Sequence, residues 1–138
     1  MFKYLVIFLA TTAMAYPDFE NVRYVSNHDG DTITVELDGV NPLLGHNITV
    51  RVNGVDTPEM TSKSKCTKTM AVKAKSVVAT ALKSSSKIVL RNPGRDKYFR
   101  ILADVEADGA LLSKTLLNMK LARVYDGGTK SLKPWCKD

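Results

Sequence analysis

Arg51-Val-Asn-Gly-Val-Asp-Thr-Pro-Glu59 is the stretch on which the reading of this chain turns, with a cation, two carboxylates and a proline within nine residues. Ile48, Val50 and Val52 alternate with Thr49, Arg51 and Asn53, so the stretch begins as a half-buried strand with Arg51 on the face opposite the valines. Pro58 lacks an N–H and drives Thr57 towards an extended conformation. The strand therefore stops there, and Asp56, Thr57 and Glu59 lie in a stiff exit turn, where oxygen groups suit a hard cation. Asp29-Gly-Asp-Thr32 opens a second alternating run of Ile33, Val35 and Leu37, and pairing of the two strands would let Asp31 and Asp56 converge. Asp-Gly is also an ordinary turn signal, and Asp-Thr-Pro-Glu an ordinary loop ahead of a helix, so neither motif alone assigns chemistry.

Working outwards, strands are expected at residues 21–26, 32–37 and 48–55, in a meander broken by Asp38-Gly39, Pro42 and Gly45. From residue 64 to 83 the period changes. Met70, Ala74, Val77, Val78, Ala81 and Leu82 share one face at helical spacing, with Lys68, Lys73, Lys75 and Lys83 largely elsewhere. A strand returns at 87–90, residues 91–98 form a basic, breaker-rich loop, and a fifth strand runs over 100–106. Leu111, Leu112, Thr115, Leu116 and Met119 give a second, shorter helix. Five strands with a helix between the third and fourth define an α+β, mainly β architecture, the five-stranded Greek-key barrel called the OB-fold. A length of 138 residues allows one domain, and nothing in the composition suggests repeats or disorder.

Residues 1–15 read as a secretory signal peptide: Lys3, an apolar run from Leu5 to Ala10, and Ala13-Met-Ala15 as a cleavage site, leaving a domain at 16–138. A membrane anchor needs about 18 to 20 apolar residues, and Thr11 and Thr12 interrupt this run too early. The expected location is thus secreted or periplasmic, without stable membrane association after cleavage. Cys66 and Cys136 are the only cysteines; in a secreted chain such a pair more often forms a disulfide than two buried thiols. The formal charge is +6 and unevenly spread. Residues 61–100 hold eleven Lys or Arg and one acid, whereas residues 16–60 hold eight acids against Arg23 and Arg51. A basic half beside an acidic site suggests a polyanion held against a bound cation, although any single lysine reads better as a solvated face. Carboxylates without neighbouring His or Cys favour Ca²⁺ or Mg²⁺ over softer metals, and His28 and His46 read as exposed loop residues. Trp135 and Tyr125 could stack on bases or pack the fold.

The blocks Asp29-Gly-Asp-Thr32, Val50-Arg-Val52 with Val55-Asp-Thr-Pro-Glu59, Asp96-Lys-Tyr-Phe-Arg100, and Ala107-Asp-Gly109 followed by Leu121-Ala-Arg-Val124 stand in an order that resembles the staphylococcal (thermonuclease-like) nuclease family. The resemblance covers roughly residues 20 to 126. It implies a monomeric calcium-dependent nuclease hydrolysing phosphodiester bonds of DNA and RNA and leaving 3′-phosphate ends. It implies Ca²⁺ on Asp31, Asp56 and the Thr57 carbonyl, with Glu59 placing or deprotonating the attacking water. Arg51 and Arg100 match the guanidinium groups that grip the phosphate, and Lys97 and Tyr98 the contacts to the terminal phosphate. Two departures stand out. Phe99 takes a place where the family usually has Gly, and Tyr125 lies one position from the tyrosine that covers the base, with Asp126 at the matching place. The competing reading is a non-catalytic OB-fold that binds single strands through its basic face.

Overall fold

The computed structural model describes residues 15–136, so the signal peptide read at residues 1–15 lies, but for Ala15, outside the described residues. In chain order the described elements are β1 (Phe19–Asn27), β2 (Thr32–Leu37), α1 (Pro42–Gly45), β3 (Ile48–Val52), β4 (Val55–Asp56), α2 (Lys65–Ser84), β5 (Ile88–Arg95), β6 (Ile101–Ala107), β7 (Ala110–Leu111), α3 (Leu112–Asn118) and β8 (Arg123–Val124). The main sheet runs β3-β2-β1-β5-β6-β7, and a further pairing of β3 with β6 closes five of its strands into a barrel. The closing pair is parallel, and every other pair is antiparallel. This is the expected OB-fold barrel.

Alternation supplies the core. Ile33, Val35, Val50, Val52, Leu90, Ala103 and Val105 point into the barrel with almost no exposed surface, and α2 lays Ala71, Ala74, Val78 and Leu82 against it. The helix starts at Ser64, whose hydroxyl accepts the Thr67 N–H at 3.3 Å. Its buried face is that of Ala74, Val78 and Leu82 expected from the spacing, extended by the small residues Thr67 and Ala71. No helix among the described residues is long and apolar enough to cross a membrane.

Three local expectations shift. The third strand breaks at Asn53-Gly54 instead of running to Val55, because Gly54 takes a φ of +82°, which turns the chain into β4. The loop expected at 91–98 is strand as far as Arg95. Its breakers form an irregularity between Arg91 and Gly94, where Asn92 adopts positive φ and its backbone N–H donates to Asp18 at 2.8 Å. The stretch expected as plain loop near Pro42 contains the one-turn helix α1, capped by the Asn41 side chain accepting from Leu43 N–H.

Pairing then positions the charged residues. In β2–β3, Thr32 faces Arg51, so Asp31 emerges beside the arginine's strand; in β3–β6, Val50 faces Ile101, which delivers Arg100 to the same side. In β4–β8, Asp56 faces Arg123 and draws the following segment across the site. Gly30 is required by close approach, since a Cβ there would meet Thr57 Cγ2 at 2.7 Å and Ala74 Cβ at 2.9 Å.

Candidate active site

An open cleft of about 780 Å³ is lined by Asp31, Arg51, Glu59, Lys97, Tyr98 and Arg100, so six of the eight candidate site residues meet on one surface. Asp56 and Thr57 are buried directly behind it.

The inner part rests on the barrel. Arg51 is 6 % exposed, and its Nη1 donates to the backbone carbonyls of Val52 at 3.0 Å and Asp31 at 3.3 Å. Its Nη2 lies 3.3 Å from Asp31 Oδ2 and 3.8 Å from Asp56 Oδ1, so both carboxylates converge on one guanidinium nitrogen. Asp31 Oδ2 accepts the Thr57 N–H at 2.8 Å, and Asp29 holds the turn by accepting the Asp31 N–H at 3.0 Å. Burial pushes the Asp31 carboxyl above its ordinary 3.8, against the opposing pull of the Arg51 guanidinium. The Tyr125 ring covers Arg51 at 5.7 Å, and its hydroxyl donates to Gly128 O at 2.8 Å, so Tyr125 serves packing of the site's wall.

The outer part rests on one carboxylate. Asp96 accepts the N–H groups of Tyr98 (2.8 Å) and Arg100 (2.9 Å) and holds Arg100 Nε at 2.7 Å. Burial pushes this carboxyl up, but these hydrogen bonds and the Arg100 charge prevail and hold it below the ordinary value. Phe99 takes the left-handed conformation a glycine would favour (φ +62°) with its ring 82 % exposed. Arg100 still lines the cleft, and among the described residues its two terminal nitrogens carry no hydrogen bond.

The donor set fits a hard cation. Two buried carboxylates, a threonine exit turn and the nearby Glu59 offer oxygen alone, the donor type of a hard cation, although no group of three or more His, Cys, Asp or Glu arranged to hold a metal ion occurs among the described residues. The buried Thr57 Oγ1 and Arg51 Nη2 have no hydrogen-bond partner among the described residues, a costly arrangement that a bound ion and anion would relieve. His46 instead pairs with Glu36 at 2.9 Å, away from the cleft, while the exposed His28 sits at its rim. Cys66 and Cys136 form a disulfide.

The staphylococcal nuclease homologue family matches residues 49–134, a span holding Arg51, Asp56, Thr57, Glu59, Lys97, Tyr98 and Arg100. The chain belongs to this family. Among relatives of this staphylococcal nuclease homologue, the SPbeta prophage-derived endonuclease YokF of Bacillus subtilis (strain 168) is 38 % identical over 117 residues, covering 80 % of this chain and 37 % of the relative. Endonuclease YncB of the same organism is 39 % identical over 108 residues, covering 74 % and 48 %. The chain thus spans less than half the length of these relatives. Asp31 lies outside the family match, and its place in the site follows from β2–β3 pairing.

Sequence reasoning missed one member of this group. Lys130 Nζ lies 2.7 Å from Asp56 Oδ1 and 2.9 Å from Glu59 Oε1, and nothing in its surroundings of Thr129 and Ser131 marks it. Partial burial pushes its pKa down, but the Asp56 and Glu59 carboxylates together outweigh this and hold it above its ordinary value.

Proposed function

We propose that this chain is a calcium-dependent nuclease that hydrolyses phosphodiester bonds of DNA and RNA and leaves 3′-phosphate ends. The observation that carries the reading is the convergence of two guanidinium groups and buried carboxylates on one cleft, with Arg51 Nη2 lacking a hydrogen-bond partner among the described residues. Family membership and the endonuclease names of the relatives support it.

Hydrolysis needs an oriented water, neutralisation of the phosphate, and stabilisation of the charge that grows in the transition state. Glu59, on the cleft and exposed, accepts the water's proton; as a weak base it contributes chiefly by placement. Arg51 and Arg100 donate to the phosphate oxygens, where the planar fork gives two directed hydrogen bonds that an ammonium cannot reproduce. Asp96 fixes the azimuth of Arg100 through Nε. Lys97 and Tyr98 hold the terminal phosphate at the rim. Asp31, Asp56 and the Thr57 carbonyl would hold Ca²⁺, which supplies Lewis-acid polarisation of the phosphate and a more acidic bound water.

The small-residue site Ala13-Met-Ala15 supports signal cleavage before Tyr16 and a secreted or periplasmic protein. Intact mass of exported material tests this; a mass retaining residues 1–15 contradicts it. The activity is tested by a gel assay on DNA and RNA with Ca²⁺ and with chelator. Cleavage in Ca²⁺ alone is expected, whereas tight binding of uncut single strands at saturating Ca²⁺ would replace the nuclease with the binding-module reading.

A further inference from the structure

Asp56 and Glu59 share a cation that arrives from far along the chain, since Lys130 is 71 residues beyond Glu59. Asp31 and Glu59 line the main cleft, whereas Asp56 lines a smaller cavity of about 270 Å³ shared with residues of the 123–131 segment. Lys130 lines the main cleft with its ammonium against Asp56 Oδ1, and so stands between the cleft and that carboxylate.

Both flanks of Lys130 are fastened. Before it, the Tyr125 hydroxyl donates to Gly128 O at 2.8 Å, and the Gly128 N–H donates to Asp126 Oδ1 at 2.9 Å. After it, Arg123 donates to the carbonyls of Lys133 and Pro134, both at 2.6 Å, and is covered by the Trp135 ring at 3.9 Å. Cys136 then ties the segment to Cys66 at the start of α2. The Lys130 side chain itself is 47 % exposed, so its ammonium can leave for water, while the fastened backbone keeps it within reach of Asp56 and favours its return.

We infer that Lys130 is a tethered counter-cation that guards Asp56: it competes with a divalent ion for this carboxylate, and the Cys66–Cys136 link sets how readily it yields. This rests on the calcium reading above. An ammonium and a divalent ion cannot both approach one carboxylate oxygen without strong repulsion in a partly buried site. The ion therefore binds only as Lys130 leaves, and the site stays closed to nucleic acid chemistry until calcium is abundant. Cutting the tether frees the segment, raises the entropy of the displaced state and eases that exchange.

Titration calorimetry of the whole protein with CaCl₂ in the absence of nucleic acid tests the inference. Lys130→Met is expected to bind Ca²⁺ on the order of tenfold more tightly than the wild type, a modest share of the repulsion removed. Lys133→Met makes the same change in net charge on the same segment and is expected to leave the affinity unchanged. Cys66→Ser/Cys136→Ser is expected to shift affinity in the direction of Lys130→Met, with no further gain when the three changes are combined. Reduced wild-type protein repeats that arm without substitution. Wild-type binding that is equal or tighter than that of Lys130→Met overturns the guard while leaving the calcium reading in place. An absence of binding in every form overturns both.

Discussion

Arg51 and Arg100 carry the same group to the same cleft, yet they are held in opposite ways. Arg51 sits within a barrel strand, 6 % exposed, with backbone carbonyls on Nη1 and two buried carboxylates near Nη2. Arg100 sits in a turn ahead of β6, its side chain 31 % exposed and fixed by a carboxylate four residues before it. The inner arginine is thus part of the barrel's charge balance, whereas the outer one belongs to a local device that can be altered without disturbing the core. One cleft joins a part that the fold cannot spare to a part that it can.

The largest effect concerns what both parts serve. Glu59→Gln is expected to lower turnover by about 10² to 10⁴ while leaving nucleic acid binding and the unfolding midpoint nearly unchanged, because Glu59 is exposed and its general-base help is lost. Single-turnover kinetics beside a binding assay checks this; a matching loss of affinity would assign Glu59 to binding instead.

Next in size is the direct test of the comparison. Arg51→Met leaves Asp31 and Asp56 buried with less compensation, so it should cost about 3–5 kcal/mol of stability. Arg100→Met should cost under about 1 kcal/mol, as expected for a partly exposed pair, although turnover falls in both variants. Urea unfolding of the two proteins decides it, and equal losses of stability would erase the distinction between inner and outer parts.

Asp96→Ala should cost about 1–2 kcal/mol, since three hydrogen bonds to one carboxylate are lost from the turn. Its sign with pH follows from the lowered value of Asp96. The carboxylate's contribution is complete above the ordinary 3.8 and is lost as pH falls below that through the folded value, so wild type and variant should converge in stability in strong acid. Unfolding curves from pH 6 downwards measure this; a gap that stays constant with pH would place the bonds' value outside Asp96 ionisation.

The smallest effect sharpens the outer part alone. Phe99→Gly should stabilise by no more than about 1 kcal/mol, because relief of a left-handed backbone is offset by the greater freedom of glycine in the unfolded chain. Loss of stability on this change would show that the exposed ring contributes more than its backbone costs.

Much of this was legible in the sequence. Strict alternation set β2 at Thr32–Leu37, and a 3.6-residue period set α2 to within a residue or two, because both patterns record which face each element buries. Asp31, Arg51, Asp56, Thr57 and Glu59 could be picked out because carboxylates and a cation at strand ends are poor core material, and Asp96 reaches Arg100 within a single turn. The breakers Asn92 and Pro93 misled: the end of β5, which runs past its pairing with β1 and stays paired with β6, absorbs them as a bulge when Asp18 and Asp104 satisfy Asn92. The closure of β3 on β6, the cover of Tyr125 over Arg51, the space that Gly30 leaves for Thr57 and the ammonium of Lys130 on Asp56 were decided by the tertiary structure. Periodicity states that a face is covered but not by what. The partner is chosen when Val55 pairs with Val124, and a disulfide between cysteines 70 residues apart holds the returning segment across the site.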